Sequence, residues 1–441
     1  MNKNKITLSL VAALTLGMSA NAMAAGFQLA EYSATGLGRA FAGEAAMADN
    51  ASAQFRNPAM MTYLEGTQIS TGAIYVDPNI DVEGEVTPHA ANGNTTNQSY
   101  QSNAKDIAND AVIPNFYLSH QLNEKWVAGL AIATNYGMET ELPSDFKGTQ
   151  FGNEAMVKSV EINPNLAYKI NDQFSIGGGV RYVMGEGHFG AVSSADIKHP
   201  LTGRIIIPTG TTLKYMEGDD TAWGWQLGTA WQINQDNRIG INYRSAVDFK
   251  LKGHAEGAAF KLAPGQKLNG SMALSLPATA ELASYHQLTD KLAVHASFNW
   301  TDWSSFEKLE ANIDTIGTVA IKEENWEDNY RLALGSTYQV DNKVTVRGGI
   351  AYDTSAVSDK NRTLTIPETD RLWLSTGVGY KWSQNLTLDA AFTYIFADDA
   401  PVNEPRSGIE SDKASVPFGG TYQGKITGNV WLVGVQASYR F

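Results

Sequence analysis

Six short polar turns recur along the chain, at Asn123-Glu124, Asn171 to Gln173, Asn234 to Asn237, Thr289-Asp290, Asp341-Asn342 and Ser383 to Asn385. Each is flanked on both sides by a run in which apolar and polar residues alternate, the period-two signature of a hairpin. Longer stretches rich in Gly, Ser, Thr, Asn and Asp lie between them, near 77–111, 136–155, 188–220, 253–270, 304–325, 353–368 and 397–427. Six short turns and seven long loops connect fourteen strands. An even strand number, with short turns on one side and long loops on the other, is the layout of an outer-membrane barrel. The expected class is all-β: a fourteen-stranded antiparallel transmembrane β-barrel over residues 67–441.

The last strand states the same pattern in one line. From Asn429 the chain reads NVWLVGVQASYRF, with Trp431, Val433, Val435, Ala437, Tyr439 and Phe441 on one face. Leu432, Gly434, Gln436, Ser438 and Arg440 occupy the other, so one face suits lipid and the other is small or polar. The chain stops on an aromatic residue, a feature of barrels handed to the outer-membrane assembly machinery. Trp223, Trp225, Leu227, Thr229 and Trp231 likewise share one face of a strand. Trp126, Trp300, Trp303, Trp326, Trp373 and Trp382 lie near expected strand ends, where interfacial aromatic girdles belong. A sugar-binding aromatic track is the competing reading.

Residues 25–66 break the alternation. This stretch, AGFQLAEYSATGLGRAFAGEAAMADNASAQFRNPAMMTYLEG, is rich in Gly and Ala and carries an Arg56-Asn57-Pro58-Ala59 turn. A compact small-residue segment before a barrel-length strand series fits an amino-terminal hatch, a plug in the lumen. Phe27, Leu29, Phe41, Met47, Phe55 and Met60 are too apolar for a solvated tail. Before it, Lys3 and Lys5, an apolar run from Ile6 and the closing Ala22-Met23-Ala24 read as a signal peptide over residues 1–24. No later stretch is apolar enough for a membrane-spanning helix.

Removing the two leader lysines takes the formal charge from −13 to −15, a balance that argues against nucleic acid as a partner. There is no cysteine, hence no disulfide and no thiolate chemistry. Catalysis finds no constellation either. No G-x-S-x-G elbow occurs, and the seven histidines show no H-E-x-x-H spacing. Asp219-Asp220 and Asp398-Asp399 read as solvated loop faces rather than cation sites. No enzyme activity, cofactor or metal is expected. A general porin, an adhesive barrel and an outer-membrane lipase are alternatives, and an apolar plug argues against the first two.

The stretch from Ala25 to Ala59 resembles the hatch of the FadL family of outer-membrane long-chain fatty acid transporters, including its Asn57-Pro58-Ala59 turn. Further matching stretches are Ala133 to Gly137, Trp223 to Trp225, Tyr243 to Ser245, Tyr330 to Gly335, Asn361 to Pro367 and Asp370 to Ser375. The resemblance covers essentially the whole chain after the leader. It implies capture of a long-chain fatty acid or other hydrophobic small molecule in the loops, then a deeper apolar pocket beside the hatch. It further implies rearrangement of the hatch around Phe27 and Leu29 and sideways release through a kinked third strand, matched here at Gly137. Read from the residues alone, Gly137 could equally begin the following loop. The surroundings implied are outer-membrane lipid and lipopolysaccharide, the location is a Gram-negative outer membrane, and a monomer suffices.

Two positions depart from the family pattern. Glu186 and Glu327 align where cations inside the barrel would hold a ligand carboxylate, and an ionised carboxyl cannot do so. Arg181, His188 and Arg331 are substitutes, although Arg331 could instead pair with Glu327. Import of neutral aromatic hydrocarbons is therefore the nearest alternative to fatty acid uptake.

Overall fold

Period-two alternation closes the chain into a wall. The computed structural model describes residues 26–89, 98–199 and 201–441, and the leader expected over 1–24 lies outside them. Fourteen antiparallel strands follow one another: β1 (Thr67–Thr87), β2 (Ala111–Gln121), β3 in two pieces (Trp126–Ala133 and Gly137–Glu141), β4 (Glu154–Lys169) and β5 (Phe174–Val192). Next come β6 (Thr212–Asn234), β7 (Asn237–Arg244 and Val247–Glu256), β8 (Lys267–Leu276 and Thr279–Gln287) and β9 (Leu292–Thr301 and Lys308–Ile313). The last five are β10 (Gly317–Glu323 and Asn329–Gln339), β11 (Val344–Asp353), β12 (Arg371–Lys381), β13 (Leu386–Glu404) and β14 (Thr421–Arg440). β1 pairs with β14 from Gln68 opposite Arg440 to Thr87 opposite Thr421, which closes the barrel and removes both sheet edges.

All six short turns fall where the sequence places them. The long connections are shorter than expected, because several strands run on past them. Residues 77–87, 212–220, 397–404 and 421–427 are strand, and the 304–325 stretch holds the paired segments Lys308–Ile313 and Gly317–Glu323. Polar residues there alternate as regularly as apolar ones, so hydropathy hides the strands while ladder hydrogen bonds still hold them.

The outer face is apolar: Leu282, Phe298, Leu332, Leu374 and Val435 are among its exposed side chains. Trp126 packs on Tyr168 and Tyr380 on Trp382 near the short turns, while Tyr182 packs on Trp223 and Phe298 on Tyr330 farther up. These form two aromatic girdles around an apolar band. Three of the tryptophans expected in the girdles are not there. Trp303, Trp326 and Trp373 are buried, because their positions face inward, where a partner awaits each ring.

That partner is the amino-terminal segment, residues 26–66, which sits among the strands with nearly every residue buried up to Leu64. Ser33 caps a short helix, α1 (Ala34–Leu37), by accepting from the Gly36 amide at 2.9 Å. Arg39 binds Glu44 and Asp49, both at 2.6 Å, which pairs the Arg39 and Glu44 charges that burial would otherwise penalise. Wall glycines receive the segment. A Cβ at Gly349 would lie 2.1 Å from the Arg39 carbonyl oxygen, one at Gly240 1.8 Å from that of Ala45, and one at Gly177 2.5 Å from the Ala59 amide nitrogen. Any side chain at these positions would occupy the segment's own space.

Candidate functional site: an apolar recess beside a broken strand

The tip of the amino-terminal segment meets the wall at the break in β3. β2 and β3 pair from Gln121 opposite Val127 up to Phe116 opposite Ile132, and no further. Above that point Ala111 to Asn115 pair only with β1. Beyond the gap contact resumes, with the Glu141 amide donating to the Ile107 carbonyl at 2.8 Å. Within the gap, residues 27–29 take the edge that β2 has left. The Leu29 amide donates to the Asn135 carbonyl at 2.8 Å, and the Gly137 amide donates to the Phe27 carbonyl at 2.9 Å. Gln28 thus bridges Tyr136 as an antiparallel neighbour. On the other edge Tyr136 stays bound to β4, where the Ser159 amide donates to its carbonyl at 3.0 Å. Asn115, buried at the gap, finds no hydrogen-bond partner for its side chain among the described residues.

Phe27 then turns its ring upward into an aromatic cluster. Its centroid lies 4.6 Å from Trp303, 5.8 Å from both Phe306 and Trp326, and 6.2 Å from Tyr136. Mostly edge-to-face contacts of this kind add to the burial of each ring. Above the cluster opens an apolar recess of about 50 Å³, lined by Phe27, Met138, Phe189, Leu251, Leu274 and Phe306 among others. A cation, Lys322, reaches it. The loop between β11 and β12 folds inward over this end, with residues 361–369 all buried. Its Thr365 carbonyl accepts from the Thr140 hydroxyl at 2.6 Å, and Thr365 and Ile366 line the recess.

Below the tip the surroundings change sign. A polar cavity of about 40 Å³ touches Gln28 and Leu29 and is lined by Arg56, Asn242, Glu281, Asn299, Arg331 and Asp353 among others. Arg56 pairs with Glu281 at 3.2 Å, and Arg331 with Asp353 at 2.7 Å. Both contacts are close but not aligned as hydrogen bonds. An acyl chain entering this space would desolvate ion pairs with nothing to replace their water. Two carboxyls are buried near the tip, and one of them, Glu368, joins it to the inward loop by accepting from the Gly26 amide. Burial pushes Glu31 up to about 7, against the opposing pull of Arg371 and Arg331. Burial likewise pushes Glu368 up to about 7, opposed by Arg371 and the adjacent Gly26 amide.

The structure separates the residues singled out from the sequence. Phe27, Leu29 and Gly137 come together at the tip. Gly137 begins the second piece of β3 rather than a loop, and it is not among the glycines with positive φ; the break precedes it, at 134–136. Asn57 and Pro58 lie away from the recess. The Asn57 side chain donates to the Ala45 and Thr229 carbonyls at 2.6 and 2.9 Å and accepts from the Ala59 amide at 3.0 Å. It staples the segment to β6.

Two of the three expected head-group cations are committed elsewhere. Arg181 is held by Glu161 at 2.9 Å and by the Ser245 carbonyl at 2.7 Å. Glu161 also takes Arg244 at 2.6 Å. Arg331 pairs with Asp353, not Glu327, and donates to the Ala40 carbonyl at 2.9 Å. His188 borders the recess, 3.7 Å from Glu154, with its ring stacked on Tyr215. Glu186 and Glu327 are both exposed, so neither stands inside the barrel in place of a cation. Glu186 sits on the outward-facing side of β5, and Glu327 lies between the two pieces of β10. Lys322 escapes a reading of the sequence, because a lysine in a polar, loop-like stretch carries no sign of facing inward.

Comparison with known proteins gives the family and the fold. The family model for "Outer membrane protein transport protein (OMPP1/FadL/TodX)" matches residues 15–441. Outer membrane protein P1 of Haemophilus influenzae is 35% identical over 463 residues, covering 99% of this chain and all of that one. The long-chain fatty acid transport protein of Escherichia coli is 32% identical over 467 residues, covering 100% and 99%. Among solved structures, a Pseudomonas aeruginosa FadL homologue superposes with a TM-score of 0.80 at 26% identity, over 95% of this chain and 100% of the other. The Ralstonia pickettii toluene transporter TbuX shares the fold, with a TM-score of 0.63 at 18% identity, over 94% of this chain and 100% of the other.

Proposed function

The chain belongs to the outer membrane protein transport protein family (OMPP1/FadL/TodX), and from that premise we propose that it carries long-chain fatty acids through a plugged barrel to a lateral exit. At the family's own level it is an outer-membrane β-barrel transporter of long-chain fatty acids or hydrophobic aromatics, and the family is one of transporters rather than enzymes.

One observation carries the finer reading. Residues 27–29 close two openings at once: Phe27 forms part of the recess lining, and the backbone of the same residues fills the broken edge of β3. A single displacement of this tip, the moving part of a hatch spanning 25–66, joins the recess to the gap in the wall. The recess is too small for a whole acyl chain until Phe27 or the inward loop shifts. Each methylene buried there contributes about 0.8 kcal/mol, enough to draw the chain from water. Downward passage is disfavoured by the ion-paired cavity beneath, whereas the gap beside β2 opens toward membrane lipid. Lys322 is the cation placed to meet a carboxylate. β1 pairs with β14 all along and the tip occupies the open edge of β3, so a monomer surrounded by outer-membrane lipid and lipopolysaccharide is sufficient.

The test is binding of oleate and of toluene to the purified barrel in detergent, with uptake measured for the wild type and Asn115→Trp. Oleate binding retained, with uptake lost when the gap is filled, supports lateral transport of fatty acids. Toluene binding without oleate binding assigns the protein to hydrocarbon import instead. Uptake unaffected by Asn115→Trp rejects the lateral exit.

A further inference from the structure

Lys322 and Glu324 stand two residues apart in sequence, both buried, and both line the apolar recess. Each keeps unused hydrogen-bonding capacity. The nearest acceptors of the Lys322 ammonium are long, the Phe151 carbonyl at 3.4 Å and a Glu404 oxygen at 3.7 Å, and it lies 5.7 Å from the Phe189 ring centroid. Glu324 accepts from the Trp326 indole at 3.1 Å through one oxygen, while its other oxygen is buried with no hydrogen-bond partner among the described residues. The two do not form an ion pair with each other. Arg406 beside them is occupied, clasped by Asp412 at 2.7 and 3.0 Å and donating to the Glu323 carbonyl at 2.6 Å. Glu404 takes the Leu364 amide at 3.2 Å through one oxygen, and its other oxygen has no partner among the described residues, but Glu404 is not part of the recess lining.

An apolar recess therefore ends in one spare donor and one spare acceptor. A bare carboxylate matches only the first and would face the Glu324 oxygen as a like charge. We propose that Lys322 and Glu324 together bind the head group with one proton held between the ligand carboxyl and Glu324, so that the site takes a carboxylic acid in net protonated form and accepts a long-chain alcohol equally well. This rests on the fatty acid reading above and adds the head-group chemistry to it. Binding of a carboxylate draws one proton from solvent or uses one already on Glu324; in both cases the complex loses it at high pH. Arg406 and Asp412, the other charges facing Glu324, neutralise each other; Glu404, Asp412 and Lys214 face Lys322, and His188 lines the same recess.

The experiment is the affinity of the purified full barrel for oleate and for oleyl alcohol, from pH 6 to pH 9, in the wild type and in Glu324→Gln. The wild type should lose oleate affinity about tenfold per pH unit once the shared proton is lost, with oleyl alcohol affinity flat. The amide introduced by the substitution offers a donor in place of the proton, so the variant should bind oleate with no pH slope. Heat-modifiable gel migration equal to that of the wild type reports an intact fold. Oleate affinity independent of pH in the wild type, or an undiminished slope in the variant, overturns the proposal while leaving fatty acid transport standing. Failure of both ligands to bind at any pH overturns both.

Discussion

The amide of Gly137 donates to the carbonyl of Phe27 across 2.9 Å, linking the upper piece of a wall strand to the tip of the segment inside the barrel. Such a bond occupies the place of a ladder hydrogen bond between wall strands, so the wall is incomplete without the tip. Ordered wall and seated tip are one state.

Phe27→Ala tests how firmly the tip is anchored. The ring is fully buried among four aromatic partners, and truncating such a residue costs about 3–5 kcal/mol. We predict faster hydrogen exchange at the amides of Leu29 and Gly137 in the variant, with the rest of the barrel unchanged. Equal protection in both proteins would mean that the backbone pairing alone holds the tip.

Lys322→Met separates the two ligand classes. Removing the ammonium from the recess should lower oleate affinity by roughly tenfold to a hundredfold, as for a lost charge-assisted hydrogen bond of about 1.5–3 kcal/mol. Toluene affinity should not fall. Loss of both affinities would show that the side chain acts through packing instead.

Gly240→Val tests the seating of the segment in the wall. A Cβ there falls 1.8 Å from the Ala45 carbonyl oxygen, backbone that cannot be displaced without moving the segment. The expected result is a barrel that still forms, with residues 26–66 newly sensitive to added protease and with sugar entry in liposome swelling. A variant as tight and resistant as the wild type would mean that the wall yields instead of the segment.

Buried Glu31 gives stability a defined pH dependence. Its folded value of about 7 exceeds the ordinary 4.5, so the folded state holds the proton more tightly than the unfolded chain. This contribution is fully present below 4.5 and is lost as pH rises through about 7, amounting to ~3 kcal/mol at most. Glu31→Gln, which cannot ionise, should raise the thermal midpoint at pH 8 and leave it unchanged at pH 4.5. A shift of equal size at both values would place the effect elsewhere.

Alternation and turn chemistry are local properties, and from them the sequence alone determined the fourteen strands, the six short turns and the lipid-facing side of β14. It also marked residues 25–66 as something other than wall, because their small-residue composition breaks the period of two. What it could not supply were the relations between distant segments. Trp303 and Trp326 read as girdle residues until Phe27, nearly three hundred positions earlier, is seen to pack against both. Lys322 and Glu324 read as solvated loop until the inward fold of residues 354–370 buries their end of the barrel. Arg181 read as a free cation until Glu161, on the adjacent strand, is seen to neutralise it. The edge of β3 given up by β2 and taken by Leu29 is of the same kind. Hydrogen-bond and charge partners are chosen by which strands the barrel brings side by side, and only closure of the wall around its own amino terminus decides that.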